Sequence, residues 1–374
     1  MMKGIFLFVL YQLLNSLINF FLIRKPRQCG DLNDPPRVSI LVPARNEEEN
    51  IAKCVQSLLL QDYTNYEVLV LNDGSEDGTG KVLSMMANTD ERLQVIESAD
   101  PLPEGWTGKN WACHRLFLQS TGDILIFTDA DTFHSPKTIT TMVQEMQRQD
   151  LSFISGIPRE VVVSFGEKIT VPFISYSIVS IFPLFLSYFS PIFSSLSVAN
   201  GQFMMFNRHS YERIGGHAAV KGEIVEDIEL AKLVRSHGLR MYTSYNLSGL
   251  VSCRMYGGFK EAFNGLSKSY FALFSLRIIP SIFVWTWMFL VAVYPFIALI
   301  RPPDTLLAIC TIIMTTLIWL GTSIDYKLPR YVVLFHPLIT VVNSVIGFHS
   351  IAQGCTGNTS WKGRTINVKK PSWF

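Results

Sequence analysis

The chain is poor in charge. Lysine, arginine, aspartate and glutamate make up 17% of its 374 residues, against roughly 25% in a soluble domain. Hydrophobic residues reach 48%, and the mean hydropathy is +0.26. That balance fits a soluble domain joined to membrane segments rather than a wholly soluble protein. A net charge of +2 with no basic stripe in the central region excludes nucleic acid as an expected partner. The six cysteines (Cys29, Cys54, Cys113, Cys253, Cys310 and Cys355) show no C-x-x-C spacing. This argues against a zinc site or disulfide framework and for buried thiols in a reducing compartment. The seven histidines form no H-x-x-x-H pair, so metal binding falls to carboxylates. Phosphate-cradling glycine loops are missing too. Gly74 to Gly80 is not G-x-G-x-x-G, and Gly108-Lys109 lacks the earlier glycine and following Ser/Thr of a P-loop.

Charge is absent from whole stretches. Gly4 to Ile23 is uncharged and long enough to span roughly 30 Å of hydrocarbon as a helix. Asn15, Ser16 and Asn19 interrupt it, and no small-x-small cleavage site precedes Arg24, which favours an uncleaved anchor over a signal peptide. Arg24, Lys25 and Arg27 follow, so by the positive-inside rule the next domain is expected in the cytoplasm. Residues 25–37 read as a linker. No charge occurs between Lys168 and Arg208. Pro172, Pro183 and Pro191 break that stretch, and two crossings need more than about 40 residues. An interfacial insertion over residues 169–198 is expected, with a buried core helix pair as the alternative. Ile278–Ile300, Thr305–Thr322 and Tyr331–Ile351 are further membrane candidates within 266–352. Three crossings would put the tail (353–374) outside, yet Lys362, Arg364, Lys369 and Lys370 favour the cytoplasm. A re-entrant or interfacial segment among the last two would reconcile these.

Between the anchor and those segments, residues 38–265 alternate strand and helix patterns. Val38–Pro43, Tyr66–Leu71, Leu93–Ile96 and Ile124–Phe127 read as strands. Helices are expected from Ala44 to Leu60, after Thr79, from Gly108 and from Glu223 to His237. Asn200–Phe206 reads as a returning strand. The rhythm predicts an α/β fold, doubly wound around a mainly parallel sheet, with a nucleotide-type crevice.

Candidate chemistry sits at the strand ends. Ile124 to Phe127 runs into Thr128-Asp129-Ala130-Asp131. Two hard oxygen ligands there suit Mg²⁺ or Mn²⁺ holding a diphosphate, although a solvated turn would look the same. Asp73 ends another strand, where it can bond a ribose or base or form an Asx-turn. Glu226 and Asp227 open a helix, where acidic residues also answer the helix dipole.

In order, Pro43-Ala-Arg45-Asn-Glu47, Asn72-Asp73-Gly-Ser, Gly108-Lys109-Asn-Trp-Ala, Asp129-Ala-Asp131, Gly216-His217, Glu226-Asp227 and Arg254 resemble the GT-A glycosyltransferases of family 2 over about residues 38–260. Gly105-Trp106-x-Gly108-Lys109-x-Trp111-Ala112-Cys113, Arg254-Met255-Tyr256-x-Gly258-Phe259 and Trp361-Lys362-Gly363-Arg364 look like its carotenoid- and hopanoid-associated members. The resemblance implies a GT-A (Rossmann-like) domain that binds a UDP-sugar through Pro43, Arg45, Glu47, Asp73, Lys109, Asp129 and Arg254. It implies Asp129 and Asp131 as ligands of Mg²⁺ or Mn²⁺, and Asp227, with Glu226 beside it, as the general base of an inverting transfer. The implied acceptor is a membrane lipid, such as a carotenoid carboxylic acid or another triterpenoid, and the implied sugar is glucose. No Q-x-x-R-W follows Glu226-Asp227, which disfavours a processive polysaccharide synthase. A glycolipid or short-chain synthase and a non-catalytic nucleotide-sugar-binding scaffold are the competing readings. A nucleotidyltransferase is disfavoured by the absence of a glycine-rich loop before Arg45.

Overall fold

A computed structural model describes residues 1–28, 34–98, 101–184, 186, 198–356, 360–361, 364–365 and 371–374. The expected basic tail residues Lys362, Lys369 and Lys370, the Arg364 side chain, part of the 25–37 linker and most of residues 185–197 lie outside that description. The chain divides into two units. One comprises Ile23–Arg159 and Leu186–Cys253; the other comprises Met1–Leu22, Glu160–Phe185 and Arg254–Phe374.

The first unit is built on strands Val38–Ala44 (β1), Tyr66–Asp73 (β2), Leu93–Ser98 (β3), Ile124–Phe127 (β4), Thr132–His134 (β5) and Phe153–Ile157 (β6). Arg159–Glu160 (β7) marks the passage between units, and Met204–Asn207 (β8), Met241–Asn246 (β9) and Val251–Cys253 (β10) complete the set. Seven of them form one sheet in the order β3-β2-β1-β4-β8-β6-β9. The first four run parallel, with Pro43 beside Leu71, Ala44 beside Asn72 and Leu41 beside Phe127. β8 runs antiparallel to both of its neighbours. Apolar residues on both faces explain the continuous runs in β1, β2 and β4. Val38, Ile40, Val42, Val68 and Val70 pack on one side; Leu41, Leu69, Leu125 and Phe127 pack on the other. Each such fully buried side chain contributes about 1.5–3 kcal/mol. β1, β2 and β4 therefore deliver Ala44, Asp73 and Asp129 to one carboxyl edge of the parallel strands.

Two local expectations are corrected. The helix after β1 starts at Ile51, not at Ala44. Asn46 is left-handed (φ 51°), and its amide accepts from Glu76 N while Ser75 Oγ accepts from Asn46 N. The acidic run is thus tied to the loop after β2 before the helix begins. Likewise, Asn200–Phe203 is a turn rather than strand: Asn200 Oδ1 accepts from Gln202 N, and Phe203 N donates to Asn200 O. β8 begins only at Met204.

Among the described residues the second unit contains four helices long and apolar enough to cross a membrane: Met2–Leu22, Ile278–Ala298, Thr305–Asp325 and Arg330–Thr356. The last is a 3₁₀ turn, Arg330–Phe335, followed by an α-helix, His336–Thr356. Pro172–Ser180 is a helix of nine residues, too short to cross. Within this unit Asn19 Nδ2 donates to the carbonyls of Val179 and Phe182, both at 2.8 Å, and Asn15 donates to those of Ser180 and Phe182. Tyr176 stacks on Trp319 with ring centroids 4.4 Å apart. Leu266, Tyr270 and Phe271 join the same apolar core, and the sheet unit's last residue is Cys253. The helices Ile278–Ala298 and His336–Thr356 run antiparallel, with Trp285 against Gly347 and Phe296 against His336. The chain end then returns to the start of the former: Ile278 N and Ile279 N donate to Ser372 O and Trp373 O, and Ser372 N donates to Leu276 O.

Candidate active site

Four elements of the sheet unit meet around one lysine. Thr107 caps the helix Gly108–Gln119, its side chain accepting from Asn110 N, and this places Lys109 in the first turn. The Lys109 ammonium lies 2.8 Å from Asp129 Oδ1 and 2.8 Å from Glu226 Oε1. It thereby joins the end of β4 to the start of the helix Glu226–Ser236. Burial opposes its charge, but the Asp129 and Glu226 carboxylates outweigh that and hold its ammonium well above the usual lysine range.

Asp227 is gripped by backbone. Oδ2 accepts from Gly201 N at 2.9 Å and Oδ1 from Ile228 N at 2.8 Å. Burial and the neighbouring Glu226 charge nonetheless push its carboxyl up to about 7, against the opposing pull of Lys109 and the two N–H groups. Space around it is tight. A Cβ on Gly201 would stand 2.9 Å from Lys109 Nζ and 3.7 Å from Asp227 Oδ2, so a side chain there would push the Lys109 ammonium from its place.

Asp131 has the most exacting environment. Its Oδ1 is buried and has no hydrogen-bond partner. Burial, then the charges of Asp129 and Glu47, raise its carboxyl to about 7; a hydrogen bond from Cys253 and the Lys109 charge pull the other way. Among the described residues no group of three or more His, Cys, Asp or Glu is arranged to hold a metal ion. Two carboxylates, one with an orphaned buried oxygen, still fit Mg²⁺ or Mn²⁺, which take one or two carboxylates and complete their shell with substrate phosphates and water.

The structure thus brings Lys109, Asp129, Asp131, Glu226, Asp227 and Glu47 into one electrostatic cluster. Asp73, 5% exposed, ends β2 at the same sheet edge. Arg45 is turned onto it: Nη1 donates to the carbonyls of Asp73 and Gly74 at 2.6 and 2.8 Å, and Nη2 pairs with Glu76. Arg45 therefore shapes the loop after β2. Pro43 stands in β1 beside Leu71. Arg254 belongs to the other unit, where it pairs with Glu167 at 3.0 Å. His217 is a core residue: it is fully buried against Phe127, Tyr211 Oη contacts its Nδ1 at 2.6 Å, and burial lowers its pKa to about 3, keeping it neutral. Sequence reasoning missed Gly201, Asn110 and the Cys253 thiol. Gly201 sat inside a presumed strand, while the other two act on residues distant in sequence.

Residues 39–215 match the model of glycosyl transferase family 2. This part of the chain is a family 2 glycosyltransferase domain. Over 353 residues the chain is 24% identical to 4,4'-diaponeurosporenoate glycosyltransferase of Staphylococcus aureus, covering 89% of each. It is 28% identical over 240 residues to the enzyme of that name from Staphylococcus haemolyticus, covering 62% of this chain and 60% of that one. In structure it is similar to a mannosyltransferase of Pyrobaculum calidifontis solved with GDP-Man and Mn²⁺. The TM-score is 0.59 at 17% identity, over 94% of this chain and 98% of that one. The fold is that of the GT-A glycosyltransferases, and the protein is a glycosyltransferase.

Proposed function

We propose that the protein transfers a sugar, glucose being the expected one, from a UDP-sugar to a lipid acceptor in the membrane, with inversion at the anomeric carbon. The observation that carries the reading is the cluster in which Lys109 bridges Asp129 to Glu226 while Asp227 is held beside it. A carboxyl pushed to about 7 is matched to general-base work near neutral pH. Asp227 accepts the proton of an acceptor hydroxyl as the oxygen attacks the anomeric carbon and the bond to UDP breaks. If the acceptor is a carboxylic acid it arrives ionised, and Asp227 orients it instead. Asp129 and Asp131 would hold Mg²⁺ or Mn²⁺. When bound, that ion offsets negative charge developing on the departing diphosphate. Pro43, Arg45, Glu47 and Asp73 are the proposed uridine-side residues. Four apolar helices and the name of the staphylococcal relative support a lipid acceptor of the carotenoid-acid class. Lipid extracts of cells with and without the gene provide the test: the reading requires a hexosylated lipid that disappears on deletion. Identical lipid profiles would sink it, and loss of a polymer instead would favour the polysaccharide reading.

For the membrane arrangement we propose three crossings and one re-entrant hairpin. His336 lies within 3.5 Å of Thr316, midway along Thr305–Asp325, so Tyr326–Phe335 leads back into the bundle rather than away from it. The last helix then descends antiparallel to Ile278–Ala298, and Ser372 and Trp373 pair with Leu276–Ile279. Both ends of the hairpin and the chain terminus share the face that carries Arg277. With Arg24, Lys25 and Arg27 after the first helix, that face is assigned to the cytoplasm of the cell membrane. An impermeant maleimide should label Asp304→Cys in intact cells and label Phe374→Cys only after permeabilisation. Labelling of Phe374→Cys in intact cells would overturn this arrangement.

A further inference from the structure

Asn110 touches none of the acidic groups, yet it is fully buried next to Lys109. Its Nδ2 lies 2.8, 3.2 and 3.0 Å from the carbonyl oxygens of Val220, Lys221 and Glu223. Three acceptors around one atom fix which end of the amide is nitrogen. Thr107 N adds a backbone bond to Lys221 O at 2.8 Å. The segment these groups hold has no helix or strand of its own between Val220 and Val225, and it leads directly into Glu226 and Asp227. Without Asn110 the Val220, Lys221 and Glu223 carbonyls lose the buried amide that gathers them; Val220 O and Lys221 O keep only their backbone donors, Glu223 N and Thr107 N, and the entry to the acidic helix rests on these with Lys109 and the Gly201 N–H.

We propose that Asn110 is a positioning residue for the transfer step: it clamps the Val220–Glu223 backbone so that Asp227 stands at the reacting acceptor atom. The clamp needs an amide. A hydroxyl is too short to reach across the three carbonyls, a carboxylate would repel all three, and an apolar side chain offers them no donor. This gives a role to part of the Gly108–Ala112 motif that donor binding does not use. The inference rests on the reading of Asp227 as the group facing the acceptor.

A misplacement of about 1 Å can cost about 10²-fold in rate. Asn110→Ala is therefore expected to lower kcat by about 10–100-fold while leaving the KM for the UDP-sugar within about twofold, because the donor-side carboxylates are untouched. Asn110→Asp should be at least as slow. The deciding measurement is a double-mutant cycle with Asp227→Asn, read by radiolabel transfer from the UDP-sugar by the full-length protein. If Asn110 acts through Asp227, adding Asn110→Ala to Asp227→Asn produces little further loss. Wild-type kcat in Asn110→Ala, a loss carried by donor KM, or multiplicative losses in the double variant would each overturn the clamp. Full activity of Asp227→Asn would remove the base reading and the clamp with it. An inactive Asp227→Asn beside a fully active Asn110→Ala would remove the clamp alone.

Discussion

Replacing Asp131 with asparagine should stabilise the metal-free protein. The Asp131 carboxyl is raised from 3.8 to about 7 by burial and by the Asp129 and Glu47 charges. That rise bounds the cost of holding the charge in the fold at about 4 kcal/mol. Part of that belongs jointly to Asp129 and Glu47, and the amide must itself find partners at about 1–3 kcal/mol. The net expectation for Asp131→Asn is a gain of about 1–2 kcal/mol, or about 2–8 °C in Tm for a unit of this size. The sign follows from linkage. A folded-state pKa raised above the unfolded one contributes stability that is fully present below about pH 4 and is lost as pH rises through about 7. The gap between variant and wild type should therefore be widest near pH 7.5 and narrow by about pH 5.5. Thermal unfolding of the detergent-purified protein in EDTA reads it directly. Adding Mn²⁺ should then raise the wild-type Tm and leave Asp131→Asn unmoved. A variant less stable than wild type in EDTA at the higher pH, or an equal Mn²⁺ response in both, would refute the reasoning.

Two further outcomes follow from the same geometry. Asp227→Asn should lower transfer to a hydroxyl acceptor by about 10²–10⁴-fold; in the wild type, because the Asp227 carboxyl is pushed to about 7, kcat/KM should climb as pH rises to about 7 and then level. A plateau already reached near pH 5 would contradict that base assignment. Asn19→Leu removes two 2.8 Å donations to Val179 and Phe182 inside the helical unit, and should cost about 1–3 kcal/mol, measured as a lower Tm in detergent with donor KM preserved.

Much of the sheet was legible because its strands are buried on both faces: uninterrupted apolar runs such as Ile124–Phe127 read the same in sequence and structure. The acids at the strand ends were legible for the same reason, since a run of that kind ends at the carboxyl edge. What failed were places where side chains serve distant backbone. Ala44 to Asn50 looked like the opening of a helix, but Glu47 N donates to Thr79 Oγ1 and Glu48 accepts from Gly78 N, so Glu47 and Glu48 staple two loops instead. Asn200-Gly201 looked like strand because its neighbours are apolar, whereas an Asn side chain capping Gln202 makes it a turn. Asn15 and Asn19 looked like interruptions of an anchor, yet they supply donors to carbonyls about 160 residues away. None of those partners can be read from local pattern, because nothing nearby in the chain marks them.

The most direct test of the proposed reaction is transfer of label from UDP-[¹⁴C]glucose, and from other UDP-sugars, into a membrane lipid extract by the purified full-length protein, with and without Mg²⁺ or Mn²⁺. The structure-based reading predicts label in the lipid fraction that is lost in EDTA, in Asp131→Asn and in Asp227→Asn. Absence of lipid label with every UDP-sugar, or label that persists unchanged in EDTA and in both variants, would contradict it.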